Sequence, residues 1–213
     1  MAVNTWSDRG CGTNRQKKLQ QRDMVMNANF KQHSIASAPD ASKMALQQIE
    51  KRLGFLPNLF ATLAESPVTL EGYLGLDGVL AKGTFSAAER QILEIAVSTA
   101  NGCDYCTAAH STFARSLRAP EDAIIAARGE GVTTDLRLQA LVHFTHAVVR
   151  ERGHIGREEL ETFLDVGFTP PQALEIVAHV GLKTISNYID GLAHVPLDAQ
   201  FREHARQPAP VAS

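Results

Sequence analysis

Cysteine is scarce in this chain, with three among 213 residues. Three thiols cannot build a disulfide framework, so the fold must rest on a packed apolar core. Long apolar runs are missing too. None approaches the roughly 18 residues of a membrane-spanning helix, and no apolar h-region of a secretory signal stands near the first residue. These two absences predict a cytoplasmic chain with no membrane partner. Charge of one sign is also lacking: the net charge is -2 and the pI is near 6.4, which leaves no electrostatic reason to expect nucleic acid. Finally, no segment shows the strict alternation of a convincing β-strand.

What is present is enough apolar material for one domain with tails: 44% hydrophobic and 21% charged residues,. Two of the cysteines stand in residues 89–115, ERQILEIAVSTANGCDYCTAAHSTFAR. The pattern is C-x-x-C-x-x-x-H, formed by Cys103, Cys106 and His110. Ile92, Leu93, Ile95, Ala96 and Val97 give the preceding segment helical spacing, and Asn101-Gly102 breaks it. A second helical pattern starts at the first cysteine and runs through Ala108, Ala109 and Phe113,.

That placement has chemical consequences. The first turn of a helix offers unpaired N–H groups and a positive dipole end, which favour an anion. A thiolate there should have its pKa lowered from about 8.5, at Cys103 or at Cys106. Residues three and four apart share a helix face. Cys103 and Cys106 can therefore be bridged, and Cys106 and His110 can share a proton. Two thiols and a base on one face make a redox-active dithiol, in which one sulfur attacks and the other resolves.

Taken in order, residues 1–37 read as a flexible arm. Up to His33 it carries six Lys/Arg against two acids, and Cys11 lies in it between glycines. Met24 or Met26 is a candidate natural start. Pro39-Asp40-Ala41 opens a helix that Gly54 stops. Leu56-Pro57-Asn58 and Ser66-Pro67 open two more, the second carrying Gly72, Gly75 and Gly78, which predict close helix packing or a kink,. Ser86 with Glu89 is a capping box for the helix leading to the cysteines. Ala119-Pro120-Glu121 opens the helix after the motif. Thr133 or Thr134 is expected to cap a long helix through Arg152, a further helix spans 156–166, and Thr169-Pro170-Pro171 starts the last one. Residues 198–213 read as a tail and 38–197 as the domain. Short loops, with proline and glycine at helix edges, predict an all-α helical bundle.

The C-x-x-C-x-x-x-H that opens a helix, after an amphipathic helix ending in Ala-Asn-Gly, resembles the carboxymuconolactone decarboxylase and alkylhydroperoxidase D-like superfamily. Leu-Pro-Asn-Leu-Phe at 56–60 and Ser-Asn-Tyr at 186–188 look like its peroxidase-related branch. The resemblance covers about 40–197. It implies an all-helical fold of the alkylhydroperoxidase D-like type and a homo-oligomer, a trimer or hexamer. It implies reduction of a small hydroperoxide by the two cysteines with no further cofactor or metal, and recycling by a dithiol, lipoyl or thioredoxin-like reductant. Carried onto this sequence, Cys106 is the attacking thiol, Cys103 the resolving thiol and His110 the base facing Cys106. The family pattern has a glutamate twelve residues before the first cysteine, where Gln91 stands here. Glu94, three residues on and on roughly the same face, is the candidate for the displaced relay carboxylate. Tyr105 stands where that pattern has a histidine and is expected to form a pocket wall, with Tyr188 as another. Asn187 enters as a site residue by resemblance alone.

Other readings of the same residues stay open. Cys103, Cys106 and His110 supply three zinc ligands, for which His143, His146 or His179 could come round as a fourth. Two buried free cysteines can also be inert core. A non-catalytic helical oligomer, serving as redox sensor or scaffold, is the alternative to an enzyme. Decarboxylases of the superfamily act on a lactone and generally lack the cysteine pair.

Overall fold

The computed structural model describes residues 30–205. Cys11, Met24, Met26, most of the basic arm and the end of the tail lie outside the described residues. From Gln32 onward the described chain forms one unit. Every regular element among the described residues is helical, as the sequence predicts. The helices are α1 (Asp40–Leu53), α2 (Asn58–Leu63), α3 (Pro67–Leu80), α4 (Ala87–Ala100), α5 (Asp104–Ser116), α6 (Glu121–Ala127), α7 (Leu136–Arg150), α8 (Arg157–Asp165) and α9 (Pro170–Ala193), followed by a 3-10 turn at Ala199–His204.

Boundary residues behave as their chemistry requires. Gly54 takes a left-handed φ of 78° and returns its N–H to Glu50,. Ser86 and Glu89 close a reciprocal capping box at the start of α4,. One expected cap is displaced. Asp135, not Thr133 or Thr134, caps α7, accepting from the N–H groups of Arg137 at 2.9 Å and Leu138 at 3.0 Å. The two threonines are engaged elsewhere: the Thr133 hydroxyl and the Thr134 N–H each donate to Asp122 at 2.9 Å. The glycine expectation for α3 also changes. That helix runs unbroken, and a Cβ built at Gly72, Gly75 or Gly78 would meet nothing within 4 Å. These glycines make no close helix contact among the described residues.

Helix α4 is the axis of the unit. Ile92 to Ser98 are buried without interruption, which marks a helix covered on all sides. It packs against α5, α7 and α9. One apolar cluster joins Ile92, Leu93 and Ile95 to Leu141, Val142, Phe163 and Ile176. Within it, Phe163 stacks between Phe144 and Phe168 with centroids 4.2 Å away on each side,. Arg137 closes the stack, its guanidinium carbon 3.7 Å from the Phe168 ring centre,. A second cluster gathers Leu59, Leu63, Leu70, Tyr73, Cys103, Cys106 and Leu182. The cysteines therefore sit in the seam between α4–α5 and the N-terminal helices.

Two segments outside the expected domain limits join this unit. His33 is buried, and its backbone N–H donates to Ala61 at 3.0 Å. Phe201, at 1% exposure, inserts beside Tyr105 and Phe113. No helix among the described residues is long and apolar enough to cross a membrane.

Replacing Asp135 by Ala removes the acceptor for two N–H groups at the start of α7. The expected loss is about 1 kcal/mol, a fall of about 2–4 °C in melting temperature for a domain of this size. Thermal unfolding followed by circular dichroism measures it, and an unchanged midpoint would show that the cap contributes nothing.

Candidate active site

Asn101 and Gly102 end α4 and turn the chain, with Gly102 at a φ of 71° that a side chain rarely adopts,. Cys103 then caps α5: its sulfur accepts the backbone N–H of Cys106 at 3.3 Å. Both thiols are free and buried. The Cys103 S–H has two acceptors within reach, the Asp190 carboxylate at 3.2 Å and the Cys106 sulfur.

The two sulfurs therefore differ. Cys106 is pulled below the usual thiol pKa, first by the hydrogen bond from Cys103. Burial opposes this, and the Lys183 ammonium and the Asn187 amide reinforce it. Cys103 is pushed up by donating to Cys106, by burial, and by the negative charge of Cys106 and Asp190,. The helix end acts on Cys103, where the Cys106 N–H opposes the rise; the partner thiol and burial are the larger influences on both sulfurs, and a lysine from α9 follows at Cys106.

That lysine was not among the residues expected from sequence. Lys183 is buried at 1% exposure, and its Nζ donates to His110 Nε2 at 2.6 Å. Burial alone would pull the ammonium down, but interactions with Tyr73, Cys106 and Glu94 reverse this and raise its pKa. His110 therefore turns Nε2 to Lys183. Its Nδ1–H points at Gln91 Oε1, 2.8 Å away, and Glu94 Oε2, 3.1 Å away. Burial and the Lys183 charge lower His110 to about 3, so it is neutral at physiological pH. Burial works against ionisation of Glu94, but His110, His179 and Lys183 outweigh it and hold it at about 2.

The sequence-predicted residues thus come together, with one change of geometry. Glu94 and Gln91 both meet His110, as residues a turn apart on α4. His110 engages Lys183 rather than presenting itself directly to Cys106, and the lysine is the cation that acts on the sulfur. His179, also fully buried, places Nδ1 3.4 Å from Glu94 Oε1. Asn187 is buried too, accepting from Asn101 Nδ2 at 2.9 Å and donating to Ser98 Oγ at 3.3 Å. Tyr188 is 66% exposed and lines no part of the site. His143 faces outward on α7. Among the described residues no group of three or more His, Cys, Asp and Glu side chains is arranged to hold a metal ion.

A narrow cavity of about 60 Å³ ends on Cys106, His110 and Lys183. At ~10–15 Å³ for one water it has room for a few water-sized groups. Its walls are Pro57, Leu59, Phe60, Tyr73, Tyr105, Ala109, Phe113 and Phe201. Cys103 is not part of the lining. One sulfur thus faces the cavity and the other stands behind it against Asp190.

A family model described as the carboxymuconolactone decarboxylase family matches residues 67–146, from α3 through most of α7 and across both cysteines. Over those residues the chain is similar to that family, and structural similarity shows the fold. Solved structures of this fold agree over most of its length. An uncharacterized peroxidase-related protein from Ralstonia eutropha JMP134, described as an alkylhydroperoxidase AhpD core, superimposes with a TM-score of 0.74 at 24% identity, covering 85% of this chain and 97% of its own. A peroxidase-related protein from Silicibacter sp. TM1040 gives 0.69 at 20% identity, covering 84% and 94%. The debrominase Bmp8 gives 0.71 at 21% identity, covering 84% and 97%. A cysteine-to-alanine form of Bmp8 is known in complex with 2,3,4-tribromopyrrole. No curated protein matches the chain.

The Lys183 charge beside Cys106 generates a prediction. With Cys11 and Cys103 replaced by serine, Cys106 is the only thiol. Its alkylation rate by iodoacetamide should rise with pH to a midpoint below that of a free thiol. Glu94 and His110 titrate near 2 and 3, so that limb belongs to Cys106. Adding Lys183→Met removes the cation, moves the midpoint up and slows alkylation at pH 7 about tenfold or more. An unmoved midpoint would remove Lys183 from the site.

Proposed function

We propose that the protein is a dithiol-dependent reductase of small organic hydroperoxides acting in antioxidant defence in the cytoplasm. The observation that carries this reading is the asymmetry of the pair: only Cys106 faces the apolar cavity, and it is the sulfur whose thiolate is favoured. In the first step the Cys106 thiolate attacks the distal oxygen of the hydroperoxide. An S–O bond forms and the O–O bond breaks. The departing alkoxide takes a proton from the Lys183–His110 pair and leaves as an alcohol, and Cys106 becomes a sulfenic acid. Cys103 then displaces water to form the disulfide, and an external dithiol, a lipoyl group or a thioredoxin-like protein reduces it by exchange. Glu94 holds the Nδ1–H tautomer of His110, which keeps Nε2 available to the lysine.

The protein acts as a homo-oligomer, trimer or hexamer, in this reading. Val68 and Val79 expose apolar surface on α3, whose three glycines face open space, a surface suited to a second copy of the chain.

The aromatic walls favour one further reading, since Phe60, Tyr73 and Phe113 also suit a flat halogenated ring. A dithiol supplies the two electrons of a reductive debromination: the C–Br bond breaks, bromine leaves as bromide, the ring carbon takes a thiol proton, and the two sulfurs join. The two readings separate in one set of assays. Wild-type protein with dihydrolipoamide should consume tert-butyl hydroperoxide catalytically. Cys106→Ser should fall to background. Cys103→Ser should consume one equivalent and stop with a dimedone-reactive sulfenic acid. Bromide release from 2,3,4-tribromopyrrole without peroxide turnover would favour the debromination reading. Undiminished peroxide turnover in both variants would overturn the dithiol mechanism.

A further inference from the structure

The attacking sulfur has a cation, an imidazole and a carboxylate behind it, whereas the resolving sulfur has one neighbour of its own. Cys103 Sγ donates to Asp190 Oδ2 at 3.2 Å, and this carboxylate lies on the last turn of α9. Lys183, Asn187 and Asp190 fall at i, i+4 and i+7 on that helix, so one face of α9 serves both sulfurs. Lys183 is fully buried, but Asp190 is only half-buried and can exchange a proton with solvent.

The proton on Cys103 has a specific problem during the cycle. In the resting site it lies between two acceptors, the Cys106 sulfur and Asp190. Oxidation of Cys106 removes the first, because a sulfenic sulfur carries no thiolate charge. Cys103 must nevertheless lose that proton to become a nucleophile. Among the described residues the carboxylate 3.2 Å away is then the only base in hydrogen-bond contact with it.

We propose that Asp190 is the general base of the resolving step, distinct from the Lys183–His110–Glu94 group that serves Cys106. The inference rests on the hydroperoxide-reductase reading above. The step balances: the Cys103 proton moves to the Asp190 carboxylate, and the Cys103 thiolate attacks the Cys106 sulfur. The S–S bond forms, the S–O bond breaks, and the departing hydroxide takes the proton back from Asp190 as water. Cys103 is oxidised, Cys106 is reduced from the sulfenic state, and the carboxylate is regenerated. Burial, with Asp104 adding to it, raises the pKa of Asp190 towards that of a useful base. The Cys103 thiol, His194 and the Val195 N–H hold the rise in check,.

The test separates a base from an electrostatic bystander by sign. The resting Asp190 charge raises the Cys103 pKa. A bystander carboxylate, once removed, would leave a more acidic Cys103 and faster resolution. A base, once removed, leaves resolution to the small thiolate fraction. Asp190→Asn and Asp190→Ala should therefore form the Cys106 sulfenic acid at the wild-type rate or faster after a pulse of tert-butyl hydroperoxide, trapped with dimedone and counted by mass spectrometry. They should form the disulfide about 10²-fold more slowly at pH 7, with a rate rising tenfold per pH unit up to the Cys103 pKa. In wild type that rise should be absent above the Asp190 pKa. Formate should restore the step in Asp190→Ala, where the truncated side chain leaves room, and Asp190→Glu should retain part of it. Normal sulfenic acid formation in the same samples shows that the variants are folded. Unchanged or faster disulfide formation in both neutral variants overturns the role of Asp190. Absence of any sulfenic acid in Cys103→Ser, where nothing resolves it, overturns the peroxidase reading itself.

Discussion

A buried ammonium ion holds this site together. Lys183 is almost completely withdrawn from water, and an unpaired cation in such a place would surrender its proton. It stays charged because it donates to His110 and stands beside the Cys106 sulfur and the Glu94 carboxylate. Each of these partners is perturbed in return. The thiol is made more acidic, and the imidazole is kept neutral with its lone pair turned to the lysine. The carboxylate is held ionised despite burial. Removing one member of such a cluster strands the others, which typically costs about 3–5 kcal/mol for a buried pair. The interaction that prepares the sulfur for chemistry is therefore also one that fixes α9 against α4 and α5.

The scaffold makes this possible by bringing three short helical registers together. Gln91 and Glu94 lie nearly a turn apart on α4. Cys103, Cys106 and His110 occupy the cap and first two turns of α5. His179, Lys183, Asn187 and Asp190 form a polar stripe along α9. Central helices of a bundle ordinarily bury apolar stripes. Here the stripe of α9 that meets α4 and α5 carries polar side chains, most of which find partners in the other two registers. The Asn101–Gly102 turn fixes the angle between α4 and α5, and Asn101 also donates to Asn187, so the turn itself is tied to α9.

Much of this was legible in the sequence, for definable reasons. Helix edges carried proline, glycine and capping boxes, so most boundaries and the all-α class could be read locally. The dithiol and His110 lie within one helix, where spacing translates directly into proximity. Glu94 could be placed because it shares a face with Gln91. Lys183 and Asp190 could not be placed that way, because their partners lie more than seventy residues earlier in the chain. A signal was nevertheless present: His179, Lys183, Asn187 and Asp190 repeat at helical spacing in an otherwise apolar segment, a pattern that a solvent-facing stripe imitates. The choice between buried network and wet surface depends on what covers the helix, which periodicity does not encode. The Thr133 and Thr134 misplacement has the same origin, since the competing acceptor Asp122 belongs to the preceding helix.

The walls of the cavity extend this logic to what the site admits. The sulfur sits on the motif, but the opening is shaped by Leu59 and Phe60 of α2, Phe113 from the last turn of α5, and Phe201 of the 3-10 turn. Phe201 lies beyond the segment that resembles the family by sequence. It is held there by a specific post: the Tyr105 hydroxyl donates to Asp198 at 2.5 Å, and Asp198 also accepts the Asn58 N–H at 3.2 Å. The Tyr105 hydroxyl is thus turned to Asp198 and the Leu59 N–H. Tyr105 stands next to Cys106 and carries the C-terminal turn into place across it, together with α2. Chemistry and selectivity are in this way assigned to different parts of the chain. In the proposed reaction the dithiol, the lysine and the two carboxylates set what bond is broken. Segments from both ends of the described chain, joined through Asp198, set the narrow apolar passage that a reacting molecule must fit.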